Sequence, residues 1–178
     1  PFIHNIALAI LGPEEPELTL RQGRILFQHN VPLIVDPGQV ISAFSRNQVR
    51  ELLILARYLV INHYEFEVLK TNGGLTDEEV FRQVPEVVLT YGDKGAAIYS
   101  REGICHVDAV PDVKVDEVTG CGDAFRAGYA YGILNNLNLK ERGQVGCIMA
   151  ARNLENPGTQ RYRITAAELA ILRTTIYE

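Results

Sequence analysis

The sequence has no apolar run of the roughly 18 residues that a membrane-spanning helix needs, which argues against a transmembrane helix. It also has no basic block. The formal net charge is −5, and without a Lys/Arg cluster there is no electrostatic footprint for a nucleic-acid backbone or an anionic membrane. Neither is an expected partner. Cysteine is scarce: Cys105, Cys121 and Cys147 are odd in number, widely spaced and without a Cys-x-x-Cys pair. That argues against a disulfide framework and a zinc site, and fits a reduced, cytoplasmic setting. His4, His29, His63 and His106 sit in unrelated contexts, and none is assigned as a ligand. Repeats, low-complexity segments and linkers are absent. The chain opens at Pro1 without methionine, inside an apolar run and with no signal-peptide pattern, so it reads as though it begins inside a protein.

What remains is a globular composition, 47% apolar and 22% charged over 178 residues. A chain of this length can bury one substantial core, so residues 1–178 are expected to form one domain. Residues 2–11 form a β-leaning run that stops at Gly12-Pro13. Residues 19–29 have helical spacing, and 31–35 read as a short buried strand ending at Asp36-Pro37-Gly38. Strand, helix and strand in so short a span imply parallel strands joined by a right-handed crossover. Ser45 is a plausible N-cap for the next helix, and residues 58–61 form another strand. Residues 71–74 read as a loop, 77–83 as a short acidic helix, and 86–90 as a buried strand. Strands over 96–100 and 103–110 follow. Helices are then expected from Asp123 to about Asn135, over 139–153 and over 166–176. Tyr129, Ile133, Leu134, Leu169, Ile171 and Leu172 are expected to face inward.

Four motifs carry chemistry. In Thr119-Gly120-Cys121-Gly122-Asp123 a glycine pair runs directly into a helical pattern. Such a junction lets backbone approach a ligand, and it leaves first-turn N–H groups without intrahelical partners, where the helix dipole also favours anions. Asp123 places a carboxylate in that anion site. A loop that only bound an anion would avoid this, whereas one that transfers a phosphoryl group to a hydroxyl needs a proton acceptor there. A plainer possibility is that Asp123 only caps the helix. Asn62-x-x-Glu65 could organise the water shell of Mg²⁺, which takes few carboxylates, or could be a capping box. Thr90-x-Gly92-x-x-Gly95 follows a strand and could border a nucleotide, while also forming a tight hairpin turn. Asp36 lies at a strand end, where α/β sheets place ligands, but Asp-Pro-Gly is equally a turn former.

Taken together in this order, Asp36-Pro37-Gly38-Gln39, Asn62-x-x-Glu65, Thr90-x-Gly92-x-x-Gly95 and Thr119-Gly-Cys-Gly-Asp-Ala-Phe-Arg-Ala-Gly128 resemble the PfkB, or ribokinase-like, carbohydrate and nucleoside kinases. Cys121 between the glycines and Arg126 after the Asp are most similar to the bacterial adenosine kinase-like branch. The resemblance implies a ribokinase-like three-layer α/β/α sandwich with a mostly parallel sheet, its N-terminal strands and lid missing. It implies phosphoryl transfer from ATP to a hydroxymethyl group of a sugar or nucleoside. Asp123 would be the general base, and the N–H groups of Gly120, Cys121 and Gly122 the anion hole. Thr90, Gly92, Gly95, Thr119 and Gly158 would border the nucleotide, and Asn62 and Glu65 would serve Mg²⁺. Gly158-Thr159-Gln160 is similar to the family's Gly-x-Gln near the adenine. A homodimer in the complete protein is also implied. K⁺ is left open, because Glu117 replaces the family's usual Asp six residues before Asp123; Cys147 stands where sugar-kinase relatives often have an Asn near the adenine, so that contact is left open too. A non-catalytic nucleotide-binding module and a vitamin-precursor kinase are the alternatives.

Overall fold

The structure is a computed structural model, and it describes residues 3–178. Two compact units emerge: one takes the residues up to Thr90 with Ile98–Ile104, the other Tyr91–Ala97 with Cys105–Glu178. Six strands run β1 (Ala9–Leu11), β2 (Leu33–Val35), β3 (Tyr58–Asn62), β4 (Glu86–Thr90), β5 (Ala96–Ser100) and β6 (Gly103–Val107), and they lie in the sheet in that same order. The first four are mutually parallel, with Ile10 opposite Ile34, Val35 opposite Leu59, and Asn62 opposite Thr90. The helices are α1 (Pro16–Gln28), α2 (Arg46–Leu55), α3 (His63–Gly73), α4 (Asp77–Gln83), α5 (Cys121–Leu134), α6 (Leu139–Leu154) and α7 (Ala166–Tyr177). A mostly parallel sheet with flanking helices is the expected ribokinase-like α/β class.

In the first unit, sequence order equals sheet order. Right-handed crossovers between successive neighbours of that kind all fall on one face, and accordingly α1 packs on α2 and α2 on α3. The strands are short, continuous apolar runs, as buried parallel strands are. Leu33, Ile34, Val35, Leu59, Val87 and Val88 are fully buried, as are Leu20, Leu52, Leu53 and Leu69 from the helices. Asp36 adopts the turn geometry: its Oδ1 accepts the Gly38 N–H at 2.7 Å.

The second unit is built on α5 and α6, which cross closely enough to require glycine. A Cβ on Gly128 would lie 2.7 Å from the Val145 carbonyl oxygen, and one on Gly146 would lie 2.8 Å from the Phe125 ring. On the far side of α6, Val145 and Ile148 pack with Leu169 of α7.

Several boundaries differ from the sequence-based expectations. Within residues 2–11 only Ala9–Leu11 is strand, preceded by a short 3₁₀ turn over Ile3–Asn5; Phe2 is outside the described residues. α1 starts three residues early, because Pro16 is suited to the first helical position and Glu15 caps it. Residues 71–73 are not a loop: α3 continues to Gly73, whose bare Cα fits against Val49 and Leu75, and stops at left-handed Gly74. α5 starts at Cys121 rather than Asp123. Leu134 and Ile171, expected inside, are exposed, whereas Tyr129 and Leu169 are buried.

Candidate active site

The start of α5 is unlike every other helix start among the described residues. Gly120 is the N-cap with φ 81° and ψ 1°, a left-handed conformation that costs a residue with a Cβ. It has no side-chain cap. A Cβ there would also lie 2.9 Å from Thr159 Cγ2, so glycine is required on two counts. With Gly120 as N-cap, Asp123 stands at the third helical position and is not the capping residue. The first-turn N–H groups of Gly122 and Asp123 have no intrahelical acceptor. The Cys121 N–H is turned toward the Val118 carbonyl, at 3.3 Å.

Loop 116–120 is held by the end of α6 and the segment that follows it. The Leu154 carbonyl accepts the Asp116 N–H at 2.8 Å. Asn153 Nδ2 donates to the Thr119 carbonyl at 2.8 Å, and Glu117 Oε2 accepts the Gly158 N–H at 2.9 Å. Three residues selected from sequence, Thr119, Gly120 and Gly158, are thereby brought together. Asn153 is the residue that sequence reasoning missed. It is 1% exposed, its Oδ1 is a buried acceptor without a donor among the described residues, and that oxygen would be 3.4 Å from a Cβ on Gly120. Nothing local announces it, since its partner is 34 residues away. The Gly158 N–H, the Thr119 hydroxyl and the Arg161 charge together hold the Glu117 carboxyl below its ordinary range.

Asp123 projects outward, its side chain 73% exposed, and pairs with Arg126, whose side chain is only 9% exposed. Burial lowers the pKa of the Arg126 guanidinium from its ordinary value. The Cys121 thiol is pushed up by burial, and the Cys147 thiol rises to about 12, mainly for the same reason. Neither is a ready thiolate.

Thr90 ends β4. The next residues form a 3₁₀ turn over Gly92–Lys94, closed by the Tyr91 N–H donating to the Gly95 carbonyl at 2.8 Å. Gly95 has φ 83°, and a Cβ there would collide with the Val107 carbonyl and lie 2.6 Å from the Ala109 nitrogen. The turn is therefore a structural necessity, whatever else it borders.

Asn62 and Glu65 lie in the first unit, the signature loop in the second. Asn62 Oδ1 accepts the Glu65 N–H at 2.9 Å, and Glu65 Oε2 accepts the Asn62 N–H at 3.3 Å, a reciprocal capping box at the start of α3. Burial raises the Glu65 carboxyl above its ordinary range, against the Asn62 hydrogen bonds that lower it. Among the described residues no three His, Cys, Asp or Glu side chains gather as a metal cluster. A cavity of about 540 Å³ opens beside α7, lined in part by Arg152, Arg161 and Tyr162, and none of the site residues expected from sequence lines it. No described helix is long and apolar enough to cross a membrane.

A glycine helix start without a capping side chain suits an anion, and here it carries an exposed carboxylate in its first turn. Residues 4–166 match the pfkB family carbohydrate kinases, and the chain belongs to that family. A nucleoside kinase of Methanothermobacter thermautotrophicus is 30% identical over 151 residues, covering 84% of this chain and 48% of its own length. One from Methanocaldococcus jannaschii is 25% identical over 156 residues, covering 88% and 51%. The solved Burkholderia thailandensis nucleoside kinase in complex with inosine is 34% identical, with a TM-score of 0.93 over 97% of this chain and 58% of that one. Its complex with ADP-inosine superposes with a TM-score of 0.94 at 32% identity, over 99% of this chain and 56% of the other. The chain spans about half the length of the curated relatives it matches.

Proposed function

We propose that the chain carries the phosphoryl-transfer machinery of an ATP-dependent kinase whose acceptor is the hydroxymethyl group of a nucleoside, as the C-terminal part of one ribokinase-like domain. The observation that carries this is the start of α5: an uncapped, left-handed Gly120 with Asp123 exposed one turn in. The nucleoside preference rests on the likeness to a kinase solved both with inosine and with ADP-inosine.

Asp123 accepts the proton of the acceptor hydroxyl as its oxygen forms the new bond to phosphorus and the bond to the ADP leaving group breaks. The proton afterwards passes to solvent. The glycine-loop N–H groups of Gly120, Cys121 and Gly122 are aimed at the charge that develops on the transferring group. Cys121 contributes once its N–H leaves the Val118 carbonyl. Thr90, Gly92, Gly95, Thr119 and Gly158 border the nucleotide, which supplies the phosphoryl group when bound. A donor of the anion-hole kind is worth about 3–4 kcal/mol in the transition state.

Asn62 and Glu65 would serve Mg²⁺ mostly through its waters, in keeping with an ion that takes few carboxylates and keeps much of its hydration shell, and a cation would offset the desolvation that raises Glu65. Glu117 does not fit K⁺: its carboxylate is taken by Gly158 and Thr119 and faces Arg161. No step is routed through a monovalent cation.

The test is ADP release from Mg-ATP by the full protein with inosine, adenosine, ribose and a hydroxymethylpyrimidine as acceptors. Turnover with a nucleoside supports the proposal. Turnover with the pyrimidine alone makes the protein a vitamin-precursor kinase, and nucleotide binding without any turnover makes it a binding module.

A further inference from the structure

Arg126 lies one helical turn beyond Asp123 on α5, and the two side chains form an ion pair. The pair is lopsided. Arg126 is withdrawn into the second unit with a side chain 9% exposed, while the Asp123 side chain is 73% exposed. A pair of surface charges three residues apart needs no special explanation and is worth little. A buried guanidinium does need one, because desolvating it is costly unless well-placed partners offset the loss. The same helix has apolar Phe125 and Tyr129 buried beside it, so an apolar side chain would suit this face of α5. The exposed end of the pair is the group proposed to take the acceptor proton.

We propose that Arg126 is a positioning residue: from the buried face of α5 it fixes the direction of the Asp123 carboxylate before the acceptor hydroxyl arrives. This rests on the assignment of Asp123 as base. At position 123 the backbone fixes the Cα, but an exposed Asp still has free rotation about both side-chain bonds. A planar guanidinium with several donors in a fixed fork restricts that rotation, which the single ammonium point of a lysine does less well. With one carboxylate oxygen held by Arg126, the other is left for the substrate proton. The desolvation that disfavours the charged guanidinium makes the negative partner above it the more valuable. Arg126 itself touches neither substrate nor nucleotide in this proposal; it acts only through Asp123.

The experiment uses the full protein with Mg-ATP and the best nucleoside acceptor, comparing wild type, Asp123→Asn, Arg126→Met, Arg126→Lys and the double variant Asp123→Asn/Arg126→Met. Misdirecting a reacting group by about 1 Å costs on the order of 100-fold, and Arg126→Met is expected to lower kcat by about that factor, with KM for both substrates changed less than threefold. Arg126→Lys should fall between the two, and added guanidinium should restore part of the Arg126→Met rate. In the Asp123→Asn background Arg126→Met should cost no further activity, because its only route is through the carboxylate.

A merely structural arginine gives a different pattern: a lowered melting temperature, a raised KM, no guanidinium rescue and an added loss in the double variant. That pattern, or wild-type kcat in Arg126→Met with Asp123→Asn inactive, overturns the inference and leaves the proposed function standing. Near-normal turnover in Asp123→Asn overturns the base assignment and the inference with it. If Arg126→Met does not fold, Arg126→Lys decides, and a wild-type kcat in that variant overturns the inference.

Discussion

The helices α3 and α5 begin in opposite ways. At α3 the chain satisfies itself: Asn62 and Glu65 exchange side-chain and backbone hydrogen bonds across the first turn. The same reciprocal motif opens α4 at Thr76 and Glu79, α6 at Asn138 and Glu141, and α7 at Thr165 and Glu168. At α2, Gln48 takes the Ser45 N–H and hydroxyl, and at α1 Glu15 caps Leu18. Only α5, among the described helices, has a left-handed glycine in the cap position and no capping side chain. Six of the described helices open with a capping side chain and the seventh has none. The comparison is between a helix start closed by its own side chains and an open one, where the proposed anion site lies.

Four substitutions would break or sharpen this contrast, in descending order of effect. Asp123→Asn keeps the shape but removes the proton acceptor, and loss of general-base catalysis is expected to lower kcat by about 10²–10⁴-fold. Initial rates with Mg-ATP measure this, and urea unfolding should show a loss of stability as well, because Asn takes the Asp123 charge away from the buried Arg126. Gly120→Ala forces a Cβ into a left-handed backbone and against Thr159. Strain of this kind costs about 1–3 kcal/mol, so the variant should lose both stability and nucleotide affinity, read by chemical denaturation and calorimetry with ADP. Asn62→Ala deletes a cap at the other kind of start. Its expected cost is about 1 kcal/mol of folding stability, and a loss as large as that of Gly120→Ala would erase the distinction.

The smallest effect is that of Glu65→Gln, and its sign depends on pH. Burial raises the Glu65 pKa in the folded state above its ordinary value. Such a group contributes stability that is present below the unfolded pKa and is lost as pH rises through the folded pKa. Gln is uncharged throughout and can still accept the Asn62 N–H. Thermal melts should therefore show Glu65→Gln at least as stable as wild type at pH 8, with the advantage gone at pH 4. If the variant is less stable at pH 8, the charged carboxylate is stabilising α3 and the burial argument fails.

Much of this is legible in the sequence, and the parts that are not have a common cause. Capping residues, strand ends and the glycine signature are local signals, so the starts of α2 and α4, the span of β4 and the junction at Gly120 can be read off short windows. Tertiary packing then shifts what local signals leave loose. The consecutive glycines Gly73 and Gly74 suggest a loop, but Gly73 is held helical by its fit against Val49 and Leu75, and only Gly74 turns the chain. Leu134 and Ile171 depart from the expected inward faces of α5 and α7 for a related reason. Helical spacing gives a face, but which residues on it find a neighbour depends on the packing against α6. Asn153 and Arg126 are the hardest to see. One matters through Thr119, 34 residues away. The other reads as a surface charge until its burial beneath Asp123 is known.

The thiol of Cys121 sits in the first turn of α5, inside the signature loop. A helix N-terminus ordinarily makes a cysteine more acidic, but here burial prevails and pushes the thiol up. Peroxide and alkylating agents attack the thiolate, not the thiol, so at neutral pH this loop is a poor target for both. The cysteine in the middle of this loop is thus held as a thiol, and alkylation at neutral pH, read by mass spectrometry, should leave it largely unmodified.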